Sequence, residues 1–183
     1  MQLLKNCLIL HGGVDINPVR YNQRRNPMTQ HPNNTRDELE FKATRMALER
    51  GLPVIGICRG AQLLTILHGG SLWQHTDNHC KYHPLITKEG FVANATSCHH
   101  QVMNLSNIPT TDYQILAFAN SPERVYGETM ANFEEVQIPE VVWFPKTKCL
   151  AIQPHPEWEA TDSPFRRWLD PKVVELLGFK IDF

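Results

Sequence analysis

Two short stretches hold residue types able to do nucleophilic chemistry together. In Pro53-Val54-Ile55-Gly56-Ile57-Cys58-Arg59-Gly60-Ala61-Gln62, a β-branched apolar run leads into a G-x-C-x-G pattern. The run predicts a buried strand over 54–57. The two glycines predict a sharp turn into a helix with Cys58 at its tip, where side chains at 56 and 60 would clash with passing backbone. An exposed thiol at a helix N-terminus meets N–H groups and a dipole that favour thiolate. The alternative, a buried structural cysteine beside chance glycines, is disfavoured by the second stretch. Leu150-Ala151-Ile152-Gln153-Pro154-His155-Pro156-Glu157 is an apolar strand running into a polar motif. Pro156 biases His155 toward extended backbone, which points residues i and i+2 to one side. Glu157 can then accept from one imidazole nitrogen and leave the other for a nucleophile, the logic of a catalytic triad.

The elements that must position these groups follow from the patterning. Cys7-Leu8-Ile9-Leu10 reads as a strand ending at the small-residue turn His11-Gly12-Gly13. The polar, proline-punctuated stretch over 14–34 reads as a long surface loop carrying Arg20, Arg24 and Arg25. Thr35 with Glu38 fits a capping box, and Leu39, Ala43, Met46 and Ala47 fall on one face of the helix it would open. Gly51 and Pro53 end that helix before the strand at 54. Strand, helix, strand implies parallel pairing. A second helix is expected to run from the turn to about Leu67, with Gly69-Gly70 stopping it and Ser71-Leu72-Trp73 forming a short strand. Further on, Phe91-Val92-Ala93, Ile115–Ala119, Val141–Phe144 and Leu150–Gln153 read as strands, and Ser163-Pro164 and Asp170-Pro171 as the starts of two short helices, the second closed by Gly178. No repeat or interdomain linker interrupts the 183 residues, so one α/β domain over 1–183 is expected.

Composition narrows the function classes. A formal net charge of -1 gives no electrostatic case for nucleic acid or an anionic membrane. Five cysteines without a CxxC pair argue against a disulfide scaffold and for a reducing, cytoplasmic setting. His75, His79, Cys80 and His83 have the right donor types for zinc, with Cys98-His99-His100 as the only other cluster. Their irregular spacing favours polar loop residues lining a cleft over a metal site. The arginines after Gly13 could meet an anionic group on a substrate held at the turn.

Gly56-Ile57-Cys58-Arg59-Gly60-Ala61-Gln62 with His155-Pro156-Glu157 resembles the class I glutamine amidotransferases. Gly12-Gly13-Val14-Asp15 with Pro18 and Tyr21, Arg36-Asp37 with Glu40, and Gly69-Gly70-Ser71-Leu72 make the resemblance closest to the γ-glutamyl hydrolase branch, which includes γ-glutamyl-γ-aminobutyrate hydrolases. It runs from about Leu8 to Trp158. It implies a flavodoxin-like, mostly parallel sheet flanked by helices, N-terminally short because only eleven residues precede the Gly-Gly turn. It implies a triad of Cys58, His155 and Glu157, an oxyanion hole from the Gly13 and Arg59 backbone N–H groups, and γ-glutamyl contacts from Gly12, Gln62 and the Ser97–Gln101 stretch with Ser97, His99 and His100. The implied reaction is hydrolysis of a γ-glutamyl amide through a thioester, with no metal or organic cofactor. The alternatives are a glutaminase passing ammonia to a partner synthetase and a non-catalytic reactive-thiol relative. The resemblance is also compatible with a homo-oligomer.

Overall fold

The computed structural model describes residues 1–4, 6–77 and 80–183, and of Leu4, Cys80 and Lys81 the backbone alone. In chain order the strands are β1 (Gln2–Leu4), β2 (Cys7–Leu10), β3 (Val54–Ile57), β4 (Ser71–Trp73), β5 (His75–Thr76), β6 (Cys80–Thr87), β7 (Val92–Cys98), β8 (Val102–Asn104), β9 (Gln114–Ala119), β10 (Glu123–Tyr126), β11 (Glu134–Val136), β12 (Pro139–Phe144) and β13 (Cys149–Ile152). The α-helices among the described residues are α1 (Asn34–Glu49), α2 (Arg59–Leu67) and α3 (Pro164–Leu177).

The main sheet has the order β1-β2-β3-β13-β12-β9-β6-β7. Its parallel part is the trio β2, β3 and β13, in which Leu10 lies beside Gly56 and Gly56 beside Ala151. The outer pairings are antiparallel, including the β1–β2 hairpin at one edge and the β6–β7 hairpin at the other. The parallel strands are continuous apolar runs because both of their faces are covered. Leu8, Leu10 and Val54 face a core shared with α1 and α2, whereas Ile9, Ile55 and Ile57 face one built on Phe165, Leu169 and Val173 of α3. The alternation follows the strand period of two, and each such buried side chain is worth about 1.5–3 kcal/mol. The α/β class, the parallel centre and the strands at 7–10, 54–57 and 71–73 are as the sequence predicts.

Several local expectations are corrected. Helix α1 is capped by Asn33, whose side chain accepts from the Arg36 N–H, not by Thr35. Its buried face is Asp37, Glu40, Phe41, Thr44 and Ala47, while Leu39 and Met46 are exposed. Two carboxylates override the apolar periodicity because they find a buried cationic partner, described below. The C-terminal segment is one helix: Pro171 sits inside α3 without ending it. There Asp170 is not a cap but an ion-pair partner of Arg166 one turn earlier. The His-rich segment is not simply loop, since His75 lies in β5 and His83 in β6. His83 is buried and faces Glu140 at 3.2 Å. His79 lies outside the described residues, and so does the Cys80 side chain.

Candidate active site

The parallel trio delivers three chain segments to one edge, the carboxyl ends of its strands, where open α/β sheets place ligands. Beyond β2 comes the turn His11-Gly12-Gly13, beyond β3 comes Cys58, and beyond β13 come His155 and Glu157. The Cys58 N–H donates to the Ile152 carbonyl at 2.8 Å, which fastens the tip to the neighbouring strand end. Cys58 itself has φ 51° and ψ −107°, a backbone that only a strained tight turn holds. The glycine pattern explains how that turn is built. A Cβ on Gly56 would lie 2.3 Å from the Gly60 carbonyl oxygen, and one on Gly60 would lie 2.4 Å from that of Leu10.

Cys58, His155 and Glu157 line one cavity of about 420 Å³ together with His11, Gly12, Gly13, Cys98 and Trp158. His155 Nδ1 is 2.7 Å from Glu157 Oε1. With the carboxylate accepting from Nδ1–H, the other ring nitrogen, Nε2, is left as the proton acceptor. A methyl placed on Gly12 would meet both His155 Cε1 at 2.8 Å and Cys58 Cβ at 3.5 Å, so the ring and the thiol flank the same glycine. His155 is held on three sides. Trp158 stacks on its ring at 3.7 Å between centroids, the His155 backbone N–H donates to the Thr96 carbonyl at 2.9 Å, and Glu157 fixes the ring edge. Thr96 is anchored in turn by Glu159 Oε1, which accepts from its backbone N–H at 2.6 Å.

Cys58 is only 5% exposed, which corrects the expectation of an exposed tip. Burial pushes its thiol up to about 12, opposed by the Arg59 N–H and reinforced by the Glu157 carboxylate. Desolvation outweighs the helix terminus, which favours the thiol over the thiolate.

The remaining candidates divide. Gly12 and Gly13 line the cavity. Gly13 has φ 154°, and a Cβ there would lie 2.0 Å from Arg36 Nη1. Arg59 follows Cys58 as the first residue of α2, with its side chain buried against Asp37 and Glu40. Gln62 is buried and donates to the Gln101 carbonyl at 2.9 Å. Ser97, His99 and His100 are not brought to the cavity lining. Ser97 and His99 are buried, and His100 Nε2 lies 3.0 Å from Asp15 Oδ2. Cys98, between them, does line it and is exposed. The sequence marks the Ser97–Gln101 stretch without singling out Cys98 within it, and it does not mark Trp158 as a site residue. An aromatic residue three positions after the histidine was the available signal for Trp158.

The arginine-bearing loop makes contacts within the chain. Arg20 pairs with Glu38 and lies over the Phe41 ring, and Arg25 donates to the Thr29 carbonyl. The Arg24 N–H is taken by Glu128. None of the three lines the cavity, so this placement does not support their reading an anionic leaving group. Arg20 instead borders a larger groove of about 820 Å³ along α1, which is not lined by Cys58, His155 or Glu157. Among the described residues no group of three or more His, Cys, Asp or Glu is arranged to hold a metal ion. No helix among them is long and apolar enough to cross a membrane.

The family model of Peptidase C26 matches residues 2–157. The chain belongs to this family. Rv2859c of Mycobacterium tuberculosis, a provisional glutamine amidotransferase, is 49% identical over 70 residues, covering 38% of this chain and 23% of that protein. The glutamine amidotransferase-like protein YvdE of Lactococcus lactis is 28% identical over 182 residues, 96% of this chain and 74% of that one. A glutamine-hydrolyzing GMP synthase of Ruminiclostridium cellulolyticum is 30% identical over 153 residues, covering 78% of this chain and 29% of that protein. Among solved structures, a provisional GMP synthase component from Thermoplasma acidophilum superposes with a TM-score of 0.56 at 14% identity, over 94% of this chain and 73% of that one. This last likeness shows the shared fold.

Proposed function

We propose that this chain hydrolyses a γ-glutamyl amide, glutamine or a γ-glutamyl amine, through a thioester on Cys58. One observation carries the reading: a cysteine on a strained strand–helix turn shares a cavity with a histidine that has one ring nitrogen 2.7 Å from a carboxylate. Membership of the Peptidase C26 family supports hydrolysis as the reaction type. Because burial favours the thiol, the first step is proton transfer from Sγ to His155 Nε2 as the sulfur attacks the γ-carbonyl carbon. The Gly13 and Arg59 N–H groups face the developing oxyanion, and each such donor is worth about 3–4 kcal/mol in comparable hydrolases. The intermediate collapses as the amine leaves with the proton from His155. Water, deprotonated by the same nitrogen, then attacks the thioester carbon and releases glutamate and the free thiol. Glu157 stabilises the imidazolium in both halves and does not itself attack. Gln62, Ser97, His99 and His100 act behind the cavity wall in this reading, shaping the segment from which Cys98 projects.

The likeness to GMP synthase over most of the chain favours a second reading, in which the ammonia is passed to a synthetase partner. Turnover of a γ-glutamyl amide panel by the isolated chain tests both. Steady hydrolysis of several amides supports a free-standing hydrolase. Glutamine hydrolysis that rises only when a synthetase is added supports the second. No glutamate release from any member, with or without a synthetase, would overturn the proposal.

A further inference from the structure

Behind the cavity lies a buried charge cluster that the reaction as written does not use. Arg59 is 1% exposed, and its guanidinium meets Asp37 through Nη2 and Glu40 through Nη1. Glu40 has a second partner. Its other oxygen, Oε1, accepts from Arg36 Nε at 3.0 Å. Arg36 in turn donates through Nη2 to the Gly12 carbonyl at 2.9 Å and to the His11 carbonyl at 3.2 Å. One carboxylate thus touches two arginines, and each arginine leads to a different side of the oxyanion site. Arg59 belongs to the turn that follows Cys58. Arg36 holds the carbonyl whose peptide carries the Gly13 N–H.

We infer that Glu40 is a positioning residue that locks the Gly12-Gly13 turn and the Cys58-Arg59 turn into one rigid unit, fixing the spacing of the two N–H donors. The inference rests on the proposed reaction for its catalytic consequence but not for its structural one. There are no cis peptide bonds among the described residues, so the Gly13 N–H points opposite to the Gly12 carbonyl, and rotating that peptide would break its charge-assisted bonds to Arg36. Arg36 also occupies the space beside Gly13 where any side chain would lie, so the turn and the arginine fit each other alone. Asp37 is not equivalent: its second oxygen accepts from the Asn17 N–H at 3.0 Å and leads to the loop rather than to the turn.

The test uses Glu40→Gln, which keeps the shape and removes the charge, in the full chain. Backbone NMR relaxation dispersion at Gly12, Gly13 and Arg59 is flat in the wild type and shows microsecond-to-millisecond exchange in the variant, while Ile9 and Ile55 in the strands stay flat. With glutamine as substrate, kcat falls about 10–100-fold, as expected for donors displaced by a fraction of an ångström, with KM within about twofold. Arg36→Met gives a similar loss, and adding Glu40→Gln to it costs much less than the product of the two, because both act along one path. Flat dispersion in the variant, a loss lying mainly in KM, or multiplicative effects would overturn the inference. If the wild type turns over no γ-glutamyl amide, the hydrolase reading falls, and the dispersion result still decides whether Glu40 locks the turns.

Discussion

At the residue scale, the division of labour between Cys58 and Cys98 makes the sharpest prediction. Cys58 is buried with its thiol pushed up to about 12, while Cys98 is exposed on the wall of the same cavity. Burial and a raised thiol disfavour Cys58 toward a small, unguided alkylating agent, and access favours Cys98. Iodoacetamide is therefore expected to modify Cys98 before Cys58 in the resting protein, as read by peptide mass mapping. A glutamine-shaped electrophile reverses the order in the proposed reaction, because it delivers its reactive carbon to Cys58 Sγ, whose proton His155 takes, and its carbonyl oxygen to the N–H donors. Glu157→Gln keeps a group that can orient His155, so turnover is expected to drop but survive, whereas His155→Ala removes the proposed base and is expected to leave far less. Equal and complete loss in both would count against a supporting role for the carboxylate.

At the scale of elements, the cluster beneath the site decides how α1 packs. Asp37, Glu40 and Arg59 are withdrawn from water together, and their mutual attraction offsets a large desolvation cost. Removing one member strands the others. Arg59→Met should cost about 3–5 kcal/mol of stability in a denaturant titration, while Arg59→Met with Asp37→Leu and Glu40→Met should recover much of that loss. Recovery without activity would separate the packing role of these residues from their positioning role. A single-variant loss below about 1 kcal/mol would contradict the view that the pairs hold α1 to α2. The same cluster explains where sequence reading succeeded and failed. The turn at Cys58 was legible because glycine at 56 and 60 is a steric necessity, and His155 with Glu157 because their contact is local. The buried face of α1 was not, since hydrophobic periodicity treats Asp37 and Glu40 as solvent-facing and cannot see Arg59 across the interface. Strand β6 was hidden in the same way, its His83 partnered by Glu140 from a strand far along the chain. Pro171 inside α3 was misread as a helix start because Asp170 before it looks like a cap until Arg166 claims it.

Over the whole molecule, buried thiols tie folding to pH. Burial raises Cys7 and Cys149 to about 11 and Cys58 to about 12, against an ordinary value of 9.0. The folded state therefore holds these protons more tightly than the unfolded chain, so the unfolded chain releases them first. The stabilisation is complete below about pH 9 and is lost as pH rises from there through 11 to 12. Tm should fall between about pH 8 and about pH 10.5, and the fall should shrink in Cys7→Ala with Cys149→Ala. A fall of the same size in that variant would assign it to other groups, Tyr21 among them, whose hydroxyl burial also raises.

The proposed reaction requires a covalent bond at one sulfur. Acid-quenching the chain during steady turnover of glutamine and mapping its peptides by mass spectrometry looks for that bond directly. The predicted result is a γ-glutamyl adduct on the peptide holding Cys58, absent from Cys58→Ala, which folds but releases no glutamate. An adduct on Cys98 instead, or undiminished glutamate release by Cys58→Ala, would contradict it.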